Sequence, residues 1–250
     1  MPGDIRNFRN LSYLGVRRIV YVSHTQPSTS CGIPYIEAKA SAEEYIRKKS
    51  EQTPGLTYAF VRPNCLFGDS ASESIVVNNT CYLMRRLPVM LFPGGADQAF
   101  FQPVHVRDLA EMAVRVGLDT DENTHIDAVG PEKLRFPDFI DVLKTGIGAR
   151  TLALTVPWLS PSVVYQMTRP LNWWLDDVYV DEGDLQILGQ NIACSPLDES
   201  PSNSGSWGDQ ASWGKRRLSD WVRENGQELG NEYINSFSRY YDKEQSAKTA

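Results

Sequence analysis

The sequence predicts an α/β fold: a parallel sheet with flanking helices, joined to a small, mostly helical C-terminal region. Three observations predict it. The runs RRIVYVS (17–23) and LTYAFVRP (56–63) are short, continuous and rich in β-branched and aromatic residues, as strands of a sheet covered on both faces require. Between them lies a segment of helical period, so the order is strand, helix, strand, and a crossover of that kind is right-handed. Beyond residue 150 the composition changes: all six tryptophans lie at or beyond position 158, and residues 189–214 are rich in Ser, Gly, Asn and Pro.

Taken in order, residues 8–15 read as the end of a helix with Gly15 as its cap, and 17–23 as the first strand. Pro27, Ser28, Gly32 and Pro34 mark 24–34 as a loop. A helix follows over 34–50 with proline in its first turn, and Tyr35, Ala38, Lys39, Ala42 and Ile46 share one face at helical spacing. Pro63 stops the second strand. Residues 75–87 read as a helix, 91–95 as a strand end and turn, and 101–106 as extended. Asp108 opens a helix over 108–117 that carries Leu109, Met112, Ala113 and Val116 on one face. A strand is expected over 124–130, and a helix over 137–148 with proline at its start and glycine at its end. The 189–214 stretch reads as a flexible linker, and 217–237 as helical, with Leu218, Trp221 and Val222 on one side. The expected domains are 1–150, with substrate-region segments interleaved at about 69–103, then a small region at 151–188, the linker, and a helical segment at 215–245.

Composition narrows the function classes. The chain has 250 residues, 41% hydrophobic and 22% charged, enough for one sizeable core. No run of about 18 apolar residues exists to cross a membrane, and the opening MPGDIRNFRN lacks the apolar stretch of a secretory signal. A net charge of −6 argues against nucleic acid and anionic membranes as partners. Cys31, Cys65, Cys81 and Cys194 form no CxxC pair, so neither a metal site nor a dithiol motif is expected, and a reduced, cytoplasmic setting is the simplest reading.

The sharpest chemical pattern is Ser23 at a strand end, followed twelve residues later by Tyr35-Ile-Glu-Ala-Lys39. A tyrosine four residues before a lysine shares a helix face with it. A nearby ammonium favours the tyrosinate, which makes the phenol a usable acid or base near neutral pH. A hydroxyl at the strand end, Ser23 or Thr25, could orient the reacting oxygen. Alone, the pattern is common on helices, where tyrosine packs and lysine is solvated. His24 reads as a surface loop residue, and His105 and His125 as structural. Trp173 and Trp174 read as core or a lid.

Several segments in succession strengthen it: VRRIVYVSHTQPS, PYIEAKASAEEYI, LTYAFVRPNCLFG and PGGADQAFFQPVHVRDLAEMAV. In this order they resemble the second half of an extended, NAD(P)-dependent epimerase-like short-chain dehydrogenase/reductase, over residues 14–148. DVYVDEGDLQIL (177–188) and LSDWVRENGQELGNEY (218–233) resemble that family's C-terminal region. The resemblance implies a partial Rossmann-like sheet and catalysis by Tyr35 and Lys39 with Ser23 or Thr25. It implies that Tyr35, Lys39, Pro63, Asn64 and Cys65 flank the nicotinamide half of NAD or NADP. It also implies that Asn78, Asn79 and Arg86, with Arg85, face a small hydroxyl or carbonyl substrate. The family opens with a strand and a glycine-rich turn that grips the pyrophosphate. Nothing before Arg17 supplies these elements, and Gly146-Ile-Gly148 ends a helix. The chain is therefore expected to be truncated and to bind the cofactor weakly. The competing expectation is an inactive remnant or a regulatory binding protein that keeps the fold. Self-association into a homo-oligomer stays open.

Overall fold

The computed structural model describes residues 15–69, 74–118, 121–177, 180–196 and 211–235. The chain opens with β1 (Arg18–Val22), α1 (Pro34–Gln52), β2 (Thr57–Arg62) and β3 (Leu66–Phe67). There follow α2 (Ile75–Arg86), β4 (Val89–Pro93), β5 (Phe100–Phe101), β6 (Val104–His105) and α3 (Val106–Leu118). Next come β7 (Thr124–Val129), β8 (Leu134–Arg135), α4 (Phe136–Ile147) and β9 (Leu152–Val156). The last elements are α5 (Pro161–Leu175), α6 (Glu182–Gln190), β10 (Ala211–Trp213) and α7 (Leu218–Asn225). Among the described residues no helix is long and apolar enough to cross a membrane.

These elements form two compact units. One takes in the chain up to Cys65, then Gln102–Lys133 and Ile192–Arg217; the other takes in Leu66–Phe101, Leu134–Asn191 and the chain from Leu218 onward. The first unit holds a four-stranded parallel sheet in the order β1-β2-β7-β10. As expected, the first two strands are neighbours, with Arg18 opposite Thr57 and Val22 opposite Val61. Ala42 and Ile46 of α1 bury against Ile19, Tyr21, Leu56 and Phe60. Pro34 sits at the start of α1, and the Glu37 carboxylate accepts a hydrogen bond from the Gly32 amide at 2.8 Å, favourable beside a helix N-terminus. The buried residues of α1 are Ile36, Ala40, Ala42, Glu43, Ile46 and Ser50, so the helix is rotated relative to the expected face. Ala38 and Tyr35 fall outside the buried stripe, and Tyr35 is 54% exposed.

Glu43 is the surprise of that face. It is 3% exposed, and it is held by Arg62 in a two-pronged pair, Nε to Oε1 at 2.9 Å and Nη2 to Oε2 at 2.6 Å. The planar guanidinium fork matches a carboxylate, which lets the charge be buried. This pair ties the middle of α1 to the last residue of β2.

The stretch 189–214, expected to be a linker, is structured at both described ends. Residues 192–195 lie across the end of the sheet, and Ala211–Trp213 pairs in parallel with Asp127–Val129. Residues 197–210 lie outside the described residues. Asp108, in the first turn of α3, accepts the Lys215 and Arg216 amides at 2.7 and 2.8 Å and pairs with the Arg216 guanidinium. Gly214 permits this approach, since a Cβ there would stand 2.6 Å from Asp108 Oδ2.

The second unit pairs β4 with β9 in parallel and β5 with β8 antiparallel. The sequence reading assigned no element to LALTV, which is β9. It also missed α5 and α6, capped by Ser160 and by a reciprocal Asp181–Asp184 box. Phe92, Phe101, Phe136 and Phe139 form a ring cluster beside β4, β5 and α4. Gly148 caps α4 in the left-handed conformation, as expected, at φ 66°. Trp173 and Trp174 are neither core nor buried lid, being 86% and 58% exposed on α5.

Candidate active site

β1 ends at Val22, and the next three residues carry side-chain polar atoms at the C-terminal edge of the sheet: Ser23, His24 and Thr25. Open α/β sheets bind ligands outside this edge. The Ser23 and Thr25 amides continue the parallel ladder, donating to Val61 O at 2.8 Å and Pro63 O at 3.0 Å. Their backbones are therefore fixed. α1 returns to the same edge, where Lys39 Nζ donates to Val22 O at 3.2 Å. The ammonium lies 5.8 Å from the centre of the Tyr35 ring and 5.1 Å from that of Tyr21. Tyr35 and Lys39 thus meet at the tip of β1, one helical turn apart.

The two hydroxyls that the sequence left open are different in kind. Thr25 is fully buried and its Oγ1 donates to the Ile192 carbonyl at 2.9 Å, so it serves to hold the chain. Ser23 is 3% exposed and its Oγ makes no hydrogen bond among the described residues. A buried hydroxyl without a partner costs about 1–3 kcal/mol. Of the two, Ser23 is the one with capacity left for a ligand oxygen.

His24 is not the surface residue that its loop setting implied. It is 7% exposed, and its Nδ1 is 2.7 Å from the Thr25 carbonyl. A carbonyl accepts, so Nδ1 carries the hydrogen and Nε2 the lone pair in the neutral ring. The imidazole meets the Tyr35 ring edge-to-face, with centres 5.9 Å apart and an interplanar angle of 89°. Burial lowers its pKa from the ordinary histidine value and the Lys39 ammonium lowers it further; the Thr25 carbonyl and Asp127 act in the opposite direction. His105, by contrast, is structural as expected: its Nδ1 accepts from the Arg107 amide at 3.2 Å.

The turn after β2 faces inward. Pro63 is buried, and the Asn64 side chain donates to the Ala193 carbonyl while accepting from the Cys65 amide. Burial pushes the Cys65 thiol up to about 12, so it stays protonated at neutral pH. Residues 63–65 form a packed wall, and their hydrogen-bonding groups are largely satisfied by protein.

What binds them is the segment 192–195, which sequence reasoning missed. Ile192, Ala193 and Cys194 offer carbonyls to Thr25 Oγ1, Asn64 Nδ2 and Gln26 Nε2, the last at 2.8 Å. The Ser195 amide donates to Gln102 Oε1 at 3.2 Å, and Ser195 Oγ donates to Asp127 at 2.7 Å. The segment straps the tips of β1, β2 and β7. Its only signal in the sequence is a short apolar patch within a polar stretch.

Asn78, Asn79 and Arg86 belong to the other unit, and the expected substrate role meets a physical objection there. Asn78 accepts from the Gly230 amide at 2.8 Å and donates to Glu232 O at 3.0 Å. Asn79 exchanges hydrogen bonds with the backbone of Ile234 at 2.9 and 3.0 Å. Arg86 donates to Gly230 O and Asn231 O, both at 3.1 Å, and Arg85 to Gly226 O and Leu229 O, both at 2.8 Å. Together they grip residues 226–234 along α2, and that is a structural clamp.

This edge presents groups that could meet a polar ligand. Ser23 offers a buried, unsatisfied hydroxyl, Lys39 an ammonium, and Tyr35 an accessible phenol ring. For the pyrophosphate, no glycine-rich turn joins a strand to a helix among the described residues.

No protein-family model matches the chain, and no curated protein matches it. Solved structures do. The NADP(H) complex of Citrobacter sp. triphenylmethane reductase aligns with a TM-score of 0.56 at 15% identity, over 86% of this chain and 67% of that one. A nucleoside-diphosphate-sugar epimerase from Staphylococcus aureus aligns at 0.54 and 14% identity, over 86% and 68% of the two chains. The UDP-Glc/GlcNAc 4-epimerase of Campylobacter jejuni aligns at 0.46 and 13% identity, covering 59% of this chain and 54% of its own. The chain thus spans about half the length of that epimerase and about two thirds of the other two. At such identities the likeness is one of architecture, and the chain has the parallel-sheet α/β fold of these epimerase and reductase structures.

Proposed function

We propose that this chain carries the proton-transfer site of an NAD(P)-dependent oxidoreductase or epimerase-type enzyme acting on a small hydroxyl or carbonyl substrate. The observation that carries the reading is Ser23: a buried hydroxyl without a partner at the C-terminal edge, beside the Tyr35–Lys39 pair. Ser23 Oγ donates to the substrate oxygen and fixes its position. Tyr35 gives a proton to that oxygen through its phenol, or removes one in the reverse direction. Lys39 supplies positive charge beside the phenol and a donor for a ribose hydroxyl. The packed wall of Pro63, Asn64 and Cys65 backs the nicotinamide side and excludes water there. When bound, the nicotinamide supplies the hydride chemistry.

In the same reading, the pyrophosphate lacks the backbone donors of a glycine-rich turn among the described residues. Hydrogen bonds to a charged group contribute roughly 1.5–3 kcal/mol each. Without two or three of them, the chain binds NAD(P)H no better than about millimolar. A second reading, a fold kept for binding or regulation without chemistry, draws support from the engagement of Thr25 and Asn64 by the strap.

The test is fluorescence titration of the chain with NADH and NADPH, followed by NADPH oxidation with a panel of small aldehydes and ketones as probe acceptors. Tyr35→Phe is expected to lower turnover by about 10²–10⁴-fold while leaving cofactor affinity unchanged. Turnover that survives Tyr35→Phe would end the catalytic reading. Micromolar binding by the chain as given would end the account of the pyrophosphate.

A further inference from the structure

We propose that His24 is a positioning residue of the proton-transfer site, holding the Tyr35 ring from the strand while Lys39 holds it from the next turn of its own helix. The inference rests on the reading of Tyr35 given above and goes beyond the Ser-Tyr-Lys pattern. Tyr35 stands in the first turn of α1 and is 54% exposed, so burial alone does not choose its ring orientation. The ring meets the Lys39 ammonium at 5.8 Å and the perpendicular imidazole at 5.9 Å.

The imidazole is itself rigid. Its backbone lies between two ladder amides, those of Ser23 and Thr25, and its Nδ1 is tied to the Thr25 carbonyl at 2.7 Å. An edge-to-face aromatic contact from such an anchor favours one ring orientation. Tyr35 is thereby held with little dependence on any ligand.

The charged groups facing His24 are Lys39 from α1 and Asp127 from β7, with the Tyr35 phenol beside it. Burial and Lys39 keep the ring neutral at physiological pH. On acidification, a charged imidazole beside the ammonium repels it from Val22 O and from the Tyr35 ring. Protonation of His24 therefore changes the charge at both contacts of the Tyr35 ring together.

The experiment is NMR on the full chain with ring-labelled histidine and tyrosine, in the wild type, His24→Phe and His24→Ala. In the wild type the Tyr35 ring signals are expected to move in step with the His24 titration, below the ordinary histidine range. His24→Phe keeps a ring beside Tyr35 and is expected to keep its ring-current shift while abolishing that pH-dependent movement. His24→Ala is expected to lose both. Tyr35 signals unchanged in His24→Ala, or a Tyr35 titration that persists in His24→Phe, would overturn the proposal. If His24→Ala fails to fold by circular dichroism, the wild-type titration and His24→Phe decide the matter. These readouts need no turnover: an active Tyr35→Phe with the NMR coupling intact removes the catalytic reading alone. An inactive Tyr35→Phe with no coupling removes the positioning role alone.

Discussion

At the scale of single residues, the sheet-edge chemistry depends on how each polar group is satisfied. Ser23 and Thr25 are two positions apart and both buried, yet one hydroxyl is engaged by a carbonyl and the other is not. Spacing alone could not separate them, because the partner of Thr25 is 167 residues away. The same holds for Glu43, whose burial on the packing face of α1 is compensated by Arg62 opposite and by Arg47 one turn along the helix. Removing one partner of a buried pair leaves an uncompensated charge, which typically costs about 3–5 kcal/mol. Arg62→Met leaves Glu43 only the longer Arg47 contact at 3.4 Å and is expected to destabilise the chain by up to about that amount in urea unfolding. Glu43→Gln with Arg62→Met is expected to recover much of the loss. A single-variant cost below about 1 kcal/mol would show that Arg47 or water compensates Glu43.

At the scale of elements, β1, α1 and β2 were legible because each carries its own period and its own stop signals: Pro34 at the start of the helix and Pro63 after the strand. Other elements were not, for identifiable reasons. α5 contains Pro170, which argues against a helix interior. β10 is three residues long and sits in a polar stretch, too short for any periodicity to register. The strap at 192–195 works through three backbone carbonyls, which every residue type possesses, so its sequence carries almost no trace of its role. It also has a side-chain tie from Ser195 to Asp127, a hydrogen bond to a carboxylate that is 8% exposed. Ser195→Ala is expected to lower stability by about 1.5–3 kcal/mol. Amide exchange at residues 192–195 should quicken at the same time. Slow exchange retained in that variant would show that the carbonyl contacts alone hold the strap.

At the scale of the whole molecule, the sequence foresaw an α/β chain with neighbouring parallel strands, and the meeting of Tyr35 and Lys39 at the tip of β1. It did not foresee that the sheet unit is assembled from three separate stretches of chain, ending with Ile192–Arg217. That interleaving has a kinetic consequence. Contacts across 167 and 168 residues cannot form until the late stretch has been made, and closing such loops must precede the reward of the contacts. During synthesis, the tips of β1 and β2 wait for residues 192–195 while most of the chain emerges. Refolding is expected to show an early phase that pairs β1 with β2 and a later one that protects the Thr25 and Asn64 region, resolved by pulse-labelled hydrogen exchange. A single phase protecting both together would mean that the strap docks within the folding nucleus. If it docks late, the chain completes its sheet edge last of all, and the proposed proton-transfer site is the last part of the fold to be finished.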